Sequence, residues 1–495
     1  MGSSFGAALT AALLPETLLV AVALVCAVLP VVRPRERPDL YRWIAVIGLL
    51  GAIAASGSVL YGMRLNSSGI AIVVWNGGLE VDHFSIYVTI AACTFALITC
   101  LVSDTYVRRI PSRSGGFFAL VLLVTAGVSA LAAQREMITF FLTLAVVSIA
   151  LTTVHALMKT DDLAAEAAWK HLVEGAVAMA AVLYGLAILY GVTGSTNLAT
   201  VAGALRRGPG LATLGTALVL LGLTFSLGIF PLRQWVARAG EATPAAVAGF
   251  LVTMGATAGA VAWARFGVSG LGNAVGAWTG LTAVVAAAGL LDASLLAVRE
   301  TRVTRLVGEM ASAQAALLLL GVLSFGLGAS RVPAQGATAF LFALGIFGVA
   351  VLTAFALLAI LQAARLPDAI SDYRGLAHRS PRAALLLAIA LAALIGAPPL
   401  GGFVARLFVL ESAVDAGYGW LAVVALAASV AVAIPVVRLI ASMFADTGEE
   451  TPFTMGATPL LSRIITASCC VAAFLATVLA QPLLMLARGG AGPLP

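Results

Sequence analysis

Fourteen times between residues 13 and 487 the chain returns to an apolar run long enough to cross a bilayer. A spanning helix needs about 20 apolar residues, and inside hydrocarbon each backbone amide and carbonyl must be satisfied within its own segment. The runs fall at 13–32, 41–62, 83–103, 116–133, 137–158, 167–192, 211–232, 244–266, 276–298, 303–327, 335–363, 383–416, 418–443 and 460–487. They are taken as spans 1 to 14. The links between them are short, so the expectation is one membrane domain over residues 1–495 and an all-α polytopic fold. Charged residues make up only 10% of the chain and hydrophobic ones 61%, against about 25% charged in soluble domains.

The basic residues sort with the links. If the spans alternate across the membrane, Arg64, Arg135, Arg206, Arg207, Arg265, Arg331 and Arg488 lie on one side, and only Arg406 sits inside a span. The other 20 of the 28 Lys and Arg lie on the opposite side, from Arg33 through Arg108, Arg109, Lys159, Arg299 and Arg374 to Arg463. The positive-inside rule then predicts a cell-membrane protein with the arginine-rich face in the cytoplasm and both termini outside. The formal charge of +6 is thus accounted for by topology and carries no indication of nucleic acid. The N-terminus has no basic region ahead of its first apolar run, so no cleaved signal is expected. Gly6 stands where myristoylation needs Ser or Thr. The five cysteines, Cys26, Cys93, Cys100, Cys469 and Cys470, all fall in spans without ligand spacing and read as small hydrophobes. No phosphate-binding Gly-Lys loop and no dinucleotide fingerprint occurs.

Two spans are interrupted. Span 12 reads PRAALLLAIALAALIGAPPLGGFVARLFVLE from Pro381 to Glu411, broken at Gly396-Ala397-Pro398-Pro399 and carrying Arg406 in apolar sequence. Proline removes a backbone donor and clashes with the carbonyl four residues earlier, so the groups freed near Leu394 and Ile395 need partners from a protein interior or a wet cavity. Such a broken, charged helix marks an ion path in transporters; it equally describes a kinked packing helix whose Arg406 snorkels. Span 7 has a second break at Pro231, which is expected to free the carbonyl of Leu227, with a loop from Arg233 to Thr243 beyond it. Breaks five spans apart predict two inverted repeats, here 116–266 and 276–443, after three leading helices at 13–103 and before the C-terminal helix 460–487.

Few other ionisable groups enter the spans. Glu174 lies about two turns into span 6, with Lys170 four residues before it on one face as its expected partner. The pair is either functional or seats the helix at the interface. Glu309 is expected to pair with Arg305, also at a four-residue spacing. Glu16 reads as an interfacial residue, Asp82 as a cap for span 3, and His83 as lying near the interface rather than at a metal.

Four segments taken in order carry a resemblance. They are Glu166-Ala-Ala-Trp-Lys-His with Tyr190-Gly-Val-Thr-Gly-Ser-Thr, Phe230-Pro231-Leu-Arg-Gln-Trp235 leading to Ala242-Thr243-Pro244, Leu295-Leu-Ala-Val-Arg299 with Arg305-Leu306, and Gly396-Ala-Pro-Pro-Leu-Gly-Gly-Phe403. In these the chain resembles the antiporter-like membrane subunits of respiratory complex I, the proton-translocating NADH:quinone oxidoreductase, and their Mrp cation-antiporter relatives. It resembles subunit N most. The resemblance implies a fourteen-helix bundle with inverted five-helix repeats and proton translocation driven by distant quinone chemistry. It also implies that this chain holds no cofactor, with NADH, FMN, Fe–S clusters and quinone on partner subunits, and that its partners are other membrane subunits and the lipid bilayer.

In the family a glutamate of span 5 pairs with a lysine of span 7, and lysines of spans 8 and 12 continue the path. Here those positions hold Ala145, Ser226, Ala256 and Arg406. Arginine stays protonated, and alanine does not titrate. The ion-path candidates are therefore Arg406, Glu174, Lys170, Ser226 and Glu309, with helix breaks at Pro231, Pro398 and Pro399. The expected function is that of a subunit of a complex-I-like assembly whose usual Glu/Lys path is degenerate. An Mrp-type antiporter subunit, a subunit of another complex-I-related assembly, or a structural membrane scaffold remain as alternatives.

Overall fold

The computed structural model describes residues 12–32, 38–65, 72–74, 77–157, 162–198, 200–201, 203, 210–271, 275–325, 334–446 and 468. Span 14 at 460–487, apart from Ser468, lies outside the described residues, as do Arg33, Lys159, Arg206, Arg207, Arg331, Arg463, Arg488, Cys469 and Cys470.

Within the described residues the spans are helices: α1 Leu14–Val32, α2 Pro38–Leu65, α3 His83–Val102, α4 Ser114–Ala132, α5 Met137–His155, α6 Asp162–Thr193, α7 Gly210–Leu227, α8 Ala245–Arg265, α9 Val275–Arg299, α10 Val303–Leu323 and α11 Ala334–Ala363. Span 12 is two helices, α12 Pro381–Ile395 and α13 Gly401–Asp415, and span 13 is α14 Gly419–Met443. Twelve helices among the described residues are long and apolar enough to cross a membrane, and the protein is an all-α polytopic membrane protein.

The bundle is centred on α8, which is buried along its whole length. Its many Ala and Gly residues allow this, because small side chains let helix backbones approach closely. A Cβ on Gly259 would lie 2.5 Å from the Leu227 amide nitrogen of α7, and one on Gly249 2.7 Å from Phe355 of α11. The α6–α7 seam works the same way, where a Cβ on Gly185 would lie 2.5 Å from the Gly215 carbonyl oxygen. By contrast, α1, α6 and α14 show apolar faces outward, with Leu24, Val177 and Val423 each about 60% exposed or more.

The links gather on two opposite faces. On one, Arg42 at the start of α2 bonds Asp104 beyond α3 at 2.6 Å. Arg113 donates to the Leu157 carbonyl beyond α5 at 2.8 Å. Arg302, just before α10, and Arg305, in its first turn, bond Glu241, just before α8, at 3.0 and 2.9 Å. The Thr304 amide reaches Asp368 beyond α11 at 3.1 Å, and the Gly375 amide reaches Ser442 at 3.0 Å. On the other face Glu80 pairs with Arg135 at 2.8 Å, Glu136 bridges Asn197, and Arg265 at the end of α8 bonds Asp82 at 2.6 Å. Every link among these that was expected on one side of the membrane meets links expected on that same side.

One local expectation is corrected, and two details are added. The stretch after Arg233 is a helix, Gln234–Ala242, rather than a loop; its polar, amphipathic sequence falls outside the apolar windows that located the spans. The link between α2 and α3 carries a hairpin, β1 Ile72–Val74 and β2 Leu79–Val81, antiparallel with Val73 opposite Glu80. The carboxylate of Glu16 accepts from Ser129 of α4 at 2.5 Å. Asp82 caps α3 as expected, accepting from the Ser85 amide.

Candidate ion path at the two broken helices

At the span 7 break, α7 ends at Leu227, four residues before Pro231. Gly228 takes φ +67°, the left-handed conformation that closes a helix and that glycine adopts at least cost. Two carbonyls of the last turn are met locally. Phe225 accepts from the Trp235 indole at 2.7 Å, and Thr224 accepts from the Ile229 amide at 3.1 Å. Ser226 is buried in this last turn. Two residues beyond Pro231, Arg233 is held on both of its sides. Its Nη1 and Nη2 bond Glu309 of α10 bidentately, and its Nε lies 2.6 Å from Asp292 of α9. Planar, bidentate pairing of this kind is the strong form of the ion pair.

At the span 12 break, Gly396 closes α12 in the left-handed conformation, φ +73°, and the Ala397 amide donates back to Ala392 at 2.9 Å. The remaining carbonyls are met by side chains. Arg406 of α13 donates to Ile395 at 2.7 Å and approaches Leu394 at 3.5 Å, while Gln314 of α10 donates to Leu394. A cation at the carbonyl end of a helix is also favoured by the helix dipole. Among the described residues no carboxylate pairs with Arg406. Two pockets against it hold about 20 and 10 Å³, room for about one water each. Gly402 is needed for α13 to close on α12, because a Cβ there would lie 1.9 Å from the Ala393 carbonyl oxygen.

The two breaks sit inside a recognisable family. The family described as the transmembrane region of NADH:quinone oxidoreductase and Mrp antiporter subunits matches residues 134–432, which include both breaks. The chain belongs to this family. It is 32% identical over 383 residues to a protein of Moorella thermoacetica named NADH-quinone oxidoreductase subunit N, covering 77% of each chain. It is 30% identical over 475 residues to an NADH-quinone oxidoreductase subunit N 2 of Symbiobacterium thermophilum, covering 92% of each. Among solved structures, a chain of Thermus thermophilus respiratory complex I superposes with a TM-score of 0.77 at 27% identity, over 96% of this chain and 99% of that one. A chain of the Mrp complex of Dietzia shares the fold alone, with a TM-score of 0.81 at 22% identity over 97% of each chain.

Against the family's architecture the candidate residues separate. Glu174 does not pair with Lys170. It pairs with Arg238 of the helix Gln234–Ala242, and Lys170 turns to Glu166. Both Lys170 and Glu166 are exposed on the outer face of α6. Glu309 does not pair with Arg305 but with Arg233, and Arg305 goes to Glu241. Ala256 is buried in α8 and Ala145 half-buried on α5. The sequence reading missed Arg233, Asp292, Arg238 and the histidines 155 and 171. The His155 and His171 rings lie tilted 4.9 Å apart, with His171 edge-on to Trp235 at 5.1 Å, and their ring nitrogens have no hydrogen-bond partner among the described residues. An Asp inside span 9 and two histidines near one span boundary were visible cues, since polar groups in spans mark function; their partners lie far off in sequence. The result is two ion clusters at the span 7 break and, at the span 12 break, a guanidinium whose partners are backbone carbonyls.

Proposed function

We propose that the chain serves as a membrane-arm subunit of a complex-I-like NADH:quinone oxidoreductase, and that protons do not pass along the family's central row in it. One observation carries this: Arg406, at the last position of that row, spends its donors on the Ile395 and Leu394 carbonyls. A guanidinium so placed is a fixed charge and a helix cap, and arginine does not release its proton in the physiological range. The other positions of the row are Ala145, Ser226 and Ala256, which carry no charge to switch. The bundle then seals and spaces the membrane arm, the arginine-rich face lying in the cytoplasm and the termini outside. Residues 116–266 and 276–443 act as two inverted repeats. NADH, FMN, Fe–S clusters and quinone belong to partner subunits, and this chain contributes no redox centre. Other antiporter-like membrane subunits flank it in the bilayer.

Two measurements test this. Affinity purification from native membranes in mild detergent is expected to recover a quinone-reducing module with other antiporter-like subunits; recovery of cation-antiporter partners in its place would discard the assignment. In membrane vesicles the proton-to-electron ratio is expected to be the same for wild type and Arg406→Gln, because the ratio is independent of how much assembly is present. A ratio that drops in the variant would show protons passing Arg406 and overturn the second half of the proposal.

A further inference from the structure

The charges at the span 7 break do not balance. Arg233 is the one cation among the described residues within ion-pair distance of Asp292 or Glu309, and it serves both carboxylates. The neighbouring charges are occupied elsewhere. Arg302 and Arg305 are taken by Glu241 and by Glu300, which Arg305 faces at 3.9 Å, so these four charges balance among themselves. Glu174 and Arg238, across the same break, pair one to one. The cluster of Arg233, Asp292 and Glu309 thus holds one negative charge more than positive. It lies about 10 Å inside the helix ends at Arg299 and Val303, at about 1.5 Å per residue. A charge left uncompensated in such surroundings is costly, and a single proton brings the cluster to zero.

We propose that Asp292 and Glu309, bridged by Arg233, form a proton-exchange site of this chain, separate from the family's central row. The side chain of Asp292 is 31% exposed and that of Glu309 2%, so Asp292 is the carboxylate nearer the outside of the bundle. On uptake an O–H bond forms on one carboxylate of the pair, that carboxylate's contact with Arg233 weakens, and Arg233 stays cationic on the other. On release the O–H bond breaks, the proton leaves, and the charge-assisted contact returns. Nothing is oxidised or reduced. Because Arg233 directly precedes the helix Gln234–Ala242, the exchange alters what ties that helix to α9 or α10. The Glu174–Arg238 pair, balanced one to one, has no place for such a proton and serves as the internal control.

The test is pH-difference infrared spectroscopy on the assembly purified in native lipid, comparing wild type with Asp292→Asn, Glu309→Gln and Glu174→Gln. A protonated-carboxyl band that comes and goes with pH is expected in wild type and in Glu174→Gln, and is expected to be lost in Asp292→Asn or Glu309→Gln. Difference spectra of both those variants that match wild type would overturn the proposal, as would equal loss in Glu174→Gln. Where a neutral amide prevents assembly, Asp292→Glu and Glu309→Asp keep the charge and are expected to shift the band; an unshifted band in both counts against the site. The readout is a proton on this chain, so it stands or fails independently of which assembly is purified and of the Arg406 result.

Discussion

Replacing Arg406 with alanine takes a cap from the carbonyl of Ile395 and leaves that of Leu394 to Gln314 alone. A buried acceptor left without its donor costs about 1–3 kcal/mol, so Arg406→Ala is expected to lower the thermal midpoint of the purified assembly by that equivalent. Arg406→Gln retains a donor and is expected to lose less, and equal midpoints for wild type and alanine variant would refute the capping role. Both breaks were legible from sequence because proline and glycine act through local backbone sterics. The ion pairs were not, because spacing alone leaves the choice of partner open. Lys170 has a glutamate four residues to either side, and the helix favours the one that precedes it, Glu166. Arg305 precedes Glu309, the weaker order, and Glu309 goes instead to Arg233, 76 residues away.

At the scale of helices, the closure of span 12 depends on the absence of a side chain at position 402. A methyl placed 1.9 Å from a backbone carbonyl cannot be absorbed by a rotamer change, so Gly402→Ala must push α13 off α12. Overpacking of this kind costs about 1–3 kcal/mol, at times more. The same change at Gly191, where a Cβ meets nothing within 4 Å, is expected to be neutral or slightly stabilising; comparable melting points for the two variants would contradict this account. Asp368, in the link between α11 and α12, supplies a pH-dependent counterpart outside the spans. Asp368 accepts from the Thr304 amide at 3.1 Å and hydroxyl at 2.5 Å. Burial outweighs these bonds and raises its carboxyl above the usual 3.8. The folded protein then holds a proton there more tightly than the unfolded chain does. That contribution is fully present below 3.8 and is lost as pH rises through the folded value. Asp368→Asn still caps the helix and is expected to flatten the fall in melting point with pH over that window. An unchanged slope would remove Asp368 as its source. No periodicity in the sequence brought Asp368 to α10, because the contact joins a link to a helix start 64 residues away.

For the whole molecule, the alternation of spans was the most legible property of the sequence, since each link inherits its side from the count of helices before it. The two faces of the structure bear out that alternation as relative placement, with Arg42, Arg113, Arg302 and Gly375 on one face and Arg135, Glu136 and Arg265 on the other. Which face is cytoplasmic rests on charge: positively charged links are retained on that side during insertion. Ser112, in the link after α3, and Asp415, at the end of α13, lie on opposite faces by this count, and both are exposed. Cysteines 26, 93 and 100 are buried, so labelling above the wild-type background reports on an introduced thiol. In intact cells a membrane-impermeant maleimide is expected to label Asp415→Cys and to spare Ser112→Cys, which reacts only once the membrane is opened. The reverse pattern would invert the orientation and put the arginine-rich face outside. Labelling of both in intact cells would break the alternation itself, and with it the pairing of spans 7 and 12 as corresponding elements of two inverted halves.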